Sequence, residues 1–189
     1  MNRIKVRIEG TRPLLMHAST GADPLNPLTK QHKVLTSKRK KTDEDYEQIA
    51  KSEWLMALYY EDGSGVGIPG VSFEASIISG AKLSKLGATI KRGVEVLDDF
   101  SKLEYDGPKE PEALWKAGFY DARPVKVGQA RLIRYRPVFR KWACTFEVLF
   151  DDEVINKSEL LNCISDAGAY CGIGDYRPKF GRYSVQEVQ

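Results

Sequence analysis

An α+β domain with a largely antiparallel sheet is the fold class this sequence predicts, and three observations predict it. Apolar and polar residues alternate with a period of two over residues 3–9 and again from Trp142 to Phe150. Apolar residues recur at helical spacing over residues 43–58, 71–83 and 160–171. The resulting order is strand, helices, several strands, helix and strand. The length of 189 residues, with 42% hydrophobic and 29% charged residues, is that of one globular domain, so a single domain over 1–189 is expected.

The first strand places Ile4, Val6 and Ile8 on one side and Arg3, Lys5, Arg7 and Glu9 on the other. Residues 18–30 are rich in Gly, Pro, Asn, Asp, Ser and Thr, which predicts a long loop. With the basic stretch after it, that loop is expected to run from about 17 to 42. Thr42 followed by Asp43, Glu44 and Asp45 reads as the capped start of an amphipathic helix. Its inward face holds Tyr46, Ile49, Ala50, Trp54, Ala57 and Leu58. After Ile68-Pro69-Gly70, the spacing of Phe73, Ile77, Ile78 and Ala81 predicts a second helix. Residues 84–122 alternate short apolar runs with acids, Gly and Pro, and read as an insertion, with a hairpin or an extended segment around 94–105. Strands are predicted at 125–127 and 130–138, and a further one carries Trp142, Cys144, Phe146, Val148 and Phe150. Asn156 with Glu159 marks a helix start, Gly172 its end, and residues 181–188 a closing strand.

No apolar run reaches the roughly 18 residues of a membrane span, and the alternating start lacks a signal peptide's apolar block. A cytoplasmic protein without membrane association is expected. Cys144, Cys163 and Cys171 form an odd set without CxxC spacing, which favours reduced, buried thiols over disulfides or zinc.

The 29 Lys and Arg against 26 Asp and Glu leave a net +3, but the charge is unevenly spread. Residues 1–42 hold ten basic and two acidic side chains, and residues 123–141 hold seven basic ones and no acid. Such asymmetry suits a polyanionic partner. Lys30 to Lys41 carries six cations, ending in Lys38-Arg39-Lys40-Lys41, and could neutralise phosphates. Arg134 and Arg136 share one strand face, with Arg131 nearby, so a sheet would fix their direction.

The segment from Gly172 to Arg182 interleaves glycines with Arg177, Lys179 and Arg182, and with the stacking faces of Tyr176 and Phe180. A structural reading serves the same residues: Gly172 ends a helix, Gly174 and Gly181 shape turns, and Phe180 fills the core. Catalytic signals are sparse. His17 and His32 lie in no metal-ligand pattern, and no GxSxG elbow or P-loop is present, so neither metal nor cofactor is expected. Either histidine could serve as a general base, and Asp23, before Pro24, as a general acid or a turn former.

Three segments taken in order, residues 8–16 (IEGTRPLLM), 67–73 (GIPGVSF) and 172–182 (GIGDYRPKFGR), resemble the RAMP superfamily of CRISPR effector subunits and processing proteins. The chain also resembles bacteriophage and prophage proteins with the same three landmarks. The resemblance implies an RRM-like (ferredoxin-like) antiparallel sheet packed by helices, whose sheet and loops grip single-stranded nucleic acid. Carried over by position, Arg12, Ser72, Arg177, Lys179 and Arg182 would line the groove. Asp23 would lie where some RNA-cleaving subunits keep a catalytic Asp. Val71 stands in place of the family's usual first Ser, and Asp175 in place of a further glycine.

The function expected is therefore non-catalytic binding of single-stranded RNA or DNA by a phage-encoded protein, with self-assembly along the strand. The alternatives are a RAMP-type endoribonuclease using His17, His32 or Asp23, and a protein-interaction module that mimics or blocks a CRISPR subunit.

Overall fold

The computed structural model describes residues 1–188. In chain order its elements are β1 (Asn2–Gly10), β2 (Leu14–Leu15), α1 (Pro27–Thr36), α2 (Asp43–Ala57), β3 (Tyr60–Glu61), β4 (Gly65–Pro69), α3 (Gly70–Ala81), α4 (Gly87–Gly93) and β5 (Val94–Val96). There follow β6 (Phe100–Glu104), α5 (Pro111–Lys116), β7 (Tyr120–Val127), β8 (Ala130–Phe139), β9 (Ala143–Phe150), α6 (Lys157–Asp166) and β10 (Tyr183–Val188). The chain gathers into two compact units, one of residues Met1–Leu14, Tyr60–Asp106 and Phe139 onward, the other of Leu15–Tyr59 and Gly107–Val138.

The first unit is built on one antiparallel sheet in the order β10-β1-β9-β6-β4-β3, with β5 also paired to β9. β1 occupies the whole of one edge of β9, from Asn2 opposite Phe150 to Glu9 opposite Ala143. On the other edge Val94 and Val96 face Phe150 and Val148, and Leu103 faces Cys144. The hairpin or extended segment expected at 94–105 is thus one interrupted strand laid along β9. The break is held by Leu97 N–H on Glu147 O at 3.0 Å and by Glu147 N–H on the Asp98 carboxylate at 2.6 Å. Counting β5 and β6 together, the path is strand, helix α3, strand, strand, helix α6, strand, with spatial order 4-1-3-2. This is the ferredoxin-like arrangement, and the β3–β4 hairpin widens it at the β6 edge.

The core follows from the alternation. Ile4, Val6 and Ile8 of β1 and Cys144, Phe146, Val148 and Phe150 of β9 are all buried, facing Phe73, Ile77 and Ala81 of α3 and Leu160, Cys163 and Ile164 of α6. The Phe73 and Phe146 rings stack with centroids 4.1 Å apart. Gly80 lets α3 close on the end of α6, where a β-carbon would meet Cys163 O and Ala167 N. Asn156 caps α6, accepting from Glu159 N–H at 2.9 Å and donating to its carboxylate at 2.7 Å. The opposite sheet face carries Arg3, Lys5 and Arg7 beside Leu149, Glu147 and Thr145, and Arg7 pairs with Glu104 at 2.7 Å. On that face none of the β1–β9 pairs carries an aromatic side chain, so those two strands present no stacking row there.

The second unit packs α1, α2 and α5 with the β7–β8 hairpin, to which β2 adds through Met16 N–H on Pro137 O at 3.0 Å. Trp54 is fully buried, and its indole N–H donates to Phe119 O at 2.8 Å. Thr42 caps α2 as predicted, in a reciprocal box with Asp45. The expected long loop at 17–42 is corrected. A 3₁₀ turn spans Ser19–Ala22, and α1 occupies ten of those residues, capped by Asn26 on Leu28 N–H at 3.0 Å with Pro27 at its first position. The expected insertion at 84–122 also divides: residues up to 106 belong to the sheet unit, and the rest to the second unit.

Candidate functional site

In the first unit two of the three landmark segments meet, and α3, which begins within the remaining one, is joined to them through Ser76. Thr11 and Arg12 both donate backbone N–H groups to Arg182 O, and Gly181 N–H donates to Pro13 O at 2.8 Å. The late loop is then tied to α3 by Ser76 Oγ, which donates to Gly172 O at 3.0 Å and lies 3.0 Å from the Tyr183 hydroxyl. Ser72, half-buried, lies one helical turn earlier on the same face as Ser76. Burial raises the Tyr183 phenol well above its ordinary value, with the Ser76 bond opposing, so it is a neutral structural group. Gly181 has φ +71° and Ile173 N–H donates to its carbonyl at 2.9 Å, a closure that needs glycine. Arg12, Tyr176, Arg177 and Lys179 are exposed, and Arg182 is half-buried with Nε donating to Pro178 O at 3.0 Å. Phe180 is corrected: it is buried, its ring edge-on to Tyr176 at 6.0 Å, and offers no stacking face.

In the second unit a cleft of about 710 Å³ is lined by His17, His32, Glu53, Lys126, Arg134 and Arg136, among others. These positions span 120 residues of sequence. β8 supplies the two arginines, α2 supplies Glu53, and α1 supplies His32. Arg134 Nη1 donates to Glu53 Oε1 at 2.6 Å, so this arginine, which has no acid near it in sequence, is paired by a distant one from α2. The second Glu53 oxygen accepts from Tyr135 N–H at 3.3 Å.

His32 Nδ1 lies 2.7 Å from Ser52 Oγ, whose single proton goes to Ile49 O at 2.9 Å. The imidazole is therefore the donor to Ser52, and Nε2 carries the lone pair. Burial chiefly holds His32 below its ordinary value of 6.5, with Glu53 opposing and Arg134 adding to the depression. Burial also dominates at His17, where Arg136 and Arg134 push the same way and Glu53 opposes. Both rings are neutral at pH 7, able to accept or donate one hydrogen bond each. Arg136 is shifted down by burial but stays a cation. The cleft thus offers guanidinium charge and neutral imidazoles together, a donor set suited to a phosphodiester.

Other expected residues stand apart from both places. Asp23 accepts from Leu25 N–H at 2.9 Å, the turn-forming role that its place before Pro24 also allowed. Lys38 pairs with Asp45 at 2.5 Å, and Lys41 Nζ donates to Lys38 O at 2.6 Å. Arg39 and Lys40 are exposed, as is Arg131 near the hairpin tip. Glu53, Ser52 and Lys126 were not singled out by the sequence. Only the helical phase of α2, which puts Ser52 and Glu53 beside the buried Trp54, hinted at partly enclosed polar side chains. Cys144 and Cys163 are buried and Cys171 is half-buried, all three as free thiols.

Among the described residues no helix is long and apolar enough to cross a membrane, and no three His, Cys, Asp or Glu side chains gather where they could hold a metal ion. No protein-family model matches the chain, and no curated protein matches its sequence.

Proposed function

We propose that the protein binds single-stranded nucleic acid without cutting it, taking phosphates in the second unit's cleft and on the first unit's late loop. The observation that carries this reading is the convergence of Arg134, Arg136, Lys126 and two neutral histidines on one cleft. The second unit holds 14 Lys and Arg against nine Asp and Glu, a net +5, so the whole chain's +3 leaves −2 on the first unit. A positive unit with a concave basic site attracts a polyanion, and the affinity falls with added salt in proportion to the phosphates neutralised. The test is fluorescence anisotropy with labelled ribo- and deoxyribo-oligonucleotides over a salt series. Wild type binds at low micromolar protein with a steep salt slope, and Arg134→Gln/Arg136→Gln binds more weakly with a shallower slope. Salt-independent binding, or none, refutes the proposal.

One observation favours a second reading, metal-independent RNA cleavage: His17 and His32 share the cleft with Arg136. Neutral His32 Nε2 would take the 2′-hydroxyl proton as the 2′-oxygen bonds to phosphorus. His17, in the fraction that mild acid protonates, would give a proton to the departing 5′-oxygen. Cleavage of ribo- but not deoxyribo-strands, lost in His32→Gln, supports it. Intact RNA leaves binding alone.

A further inference from the structure

Beside the basic cleft the second unit carries a second hollow, of about 490 Å³, walled by Tyr46, Glu47, Trp115, Lys116, Tyr120 and Tyr135. Its aromatic rings form one cluster. Trp115 lies 4.8 Å from Tyr120 with planes tilted 32°, and 6.0 Å from Tyr135, while Tyr120 and Tyr135 are 5.9 Å apart. Behind them Trp54 meets Trp115 edge-on at 5.8 Å, so the cluster is anchored in the core. Yet it is not sealed: Tyr120 is 38% exposed and Tyr46 60%. A cluster with rigid backing and an open front is what a flat, unstacked ring can lie against.

The place of this hollow on the helix matters. Tyr46, Glu47 and Ala50 of α2 wall it, while Glu53, Met56 and Ala57 of the same helix wall the basic cleft. Six residues separate Glu47 from Glu53, on the order of 9 Å along a helix axis. Tyr135 lines both hollows, its ring in the aromatic cluster and its backbone N–H on Glu53. Phosphate chemistry and stacking chemistry therefore adjoin on one side of one helix. At the aromatic side Lys116, paired to Glu112, stands in the wall with Glu47, so the excess cationic charge lies on the cleft side, where Lys126 joins Arg134 and Arg136.

We infer that Trp115, Tyr120 and Tyr135, with Tyr46 at the margin, form a base-stacking platform that holds unstacked bases of the strand whose phosphates enter the neighbouring cleft. This rests on the binding function proposed above and adds its cause: paired bases present no free faces, so the platform selects single strands over duplex. None of these aromatic residues was singled out as a binding residue by the sequence, and they lie outside the landmark segments.

The test compares a labelled oligothymidylate with an abasic strand of equal length, which keeps the phosphates and lacks the rings. Wild type should bind the abasic strand roughly tenfold more weakly, and oligothymidylate should quench the indole emission. Tyr120→Leu and Tyr46→Leu, at exposed positions that leave the core intact, should each cost several-fold to tenfold on oligothymidylate, and leave the abasic affinity and the salt slope unchanged. Equal binding of both strands with unaffected variants overturns the platform while leaving strand binding in place. No binding of either strand, nor of oligouridylate, refutes the binding function itself.

Discussion

Replacing Glu53 by Gln should lower stability and raise strand affinity at once, an opposition that a purely structural role for the cleft does not produce. The carboxylate accepts from Arg134 Nη1 at 2.6 Å and from Tyr135 N–H at 3.3 Å, with the Glu53 side chain 17% exposed and Arg134 35% exposed. A charge-assisted bond of this kind contributes about 1.5–3 kcal/mol when buried, and the exposure of the guanidinium discounts it to about 1 kcal/mol. For a chain of this size that is a fall of about 2–4 °C in Tm. A phosphate on the far side of Arg134 would stand roughly 6 Å from the carboxylate. At an effective dielectric of about 40 their repulsion is about 1.4 kcal/mol, and physiological salt roughly halves it. Removing the charge should therefore tighten binding about threefold at physiological salt and more at low salt. Thermal melting and anisotropy titration of the same preparation read both effects. A lower Tm with unchanged affinity would refute the placement of phosphate at Arg134.

Three further outcomes follow from the geometry. Gly181→Ala puts a β-carbon against Ile173 O at φ +71°, so the late loop should open, with a loss of about 2–4 kcal/mol and faster amide exchange at Ile173. Because unfolded imidazole titrates near 6.5 and both folded histidines titrate lower, the unfolded chain binds more protons between those values. The stability due to His17 and His32 is then complete above pH 6.5 and lost as pH falls towards their folded values. Strand affinity should rise severalfold over the same window, as imidazolium joins Arg134 and Arg136 against Glu53, and His17→Gln/His32→Gln should flatten both profiles. Burial pushes the Cys144 thiol up to about 12, so alkylation at mildly alkaline pH should leave it unmodified in the native protein and label it after denaturation.

The strands and helices with strong periodicity were legible because one face of each is buried in a single layer. β1, β9, α2 and α3 were each placed within a few residues of their observed ends, and α6 reaches the expected Gly172 through a π-helical segment, Ala167–Cys171. α1 was missed since none of its residues is fully buried, although Asn26-Pro27 is a cap followed by a first-turn proline. β5 and β6 were hidden by the Asp98 break, whose bond to Glu147 N–H only pairing with β9 reveals. The site was legible in its charges and not in its partners. Arg134, Arg136, His17 and His32 were named from the sequence, but Glu53 joins them only through the packing of α2 on β8. Trp115, Tyr120 and Tyr135 read as ordinary apolar residues until the chain folds them into one open cluster.

Photocrosslinking tests the central claim most directly: a thiothymidine-bearing single strand is irradiated with the protein and the adducts are mapped by mass spectrometry. The account predicts adducts at Tyr46, Trp115, Tyr120 or Tyr135 in the second unit and at Tyr176 on the late loop, competed by unlabelled single strand and not by duplex. Adducts confined to the Arg3, Lys5 and Arg7 face of the sheet, or equal competition by duplex, would contradict it.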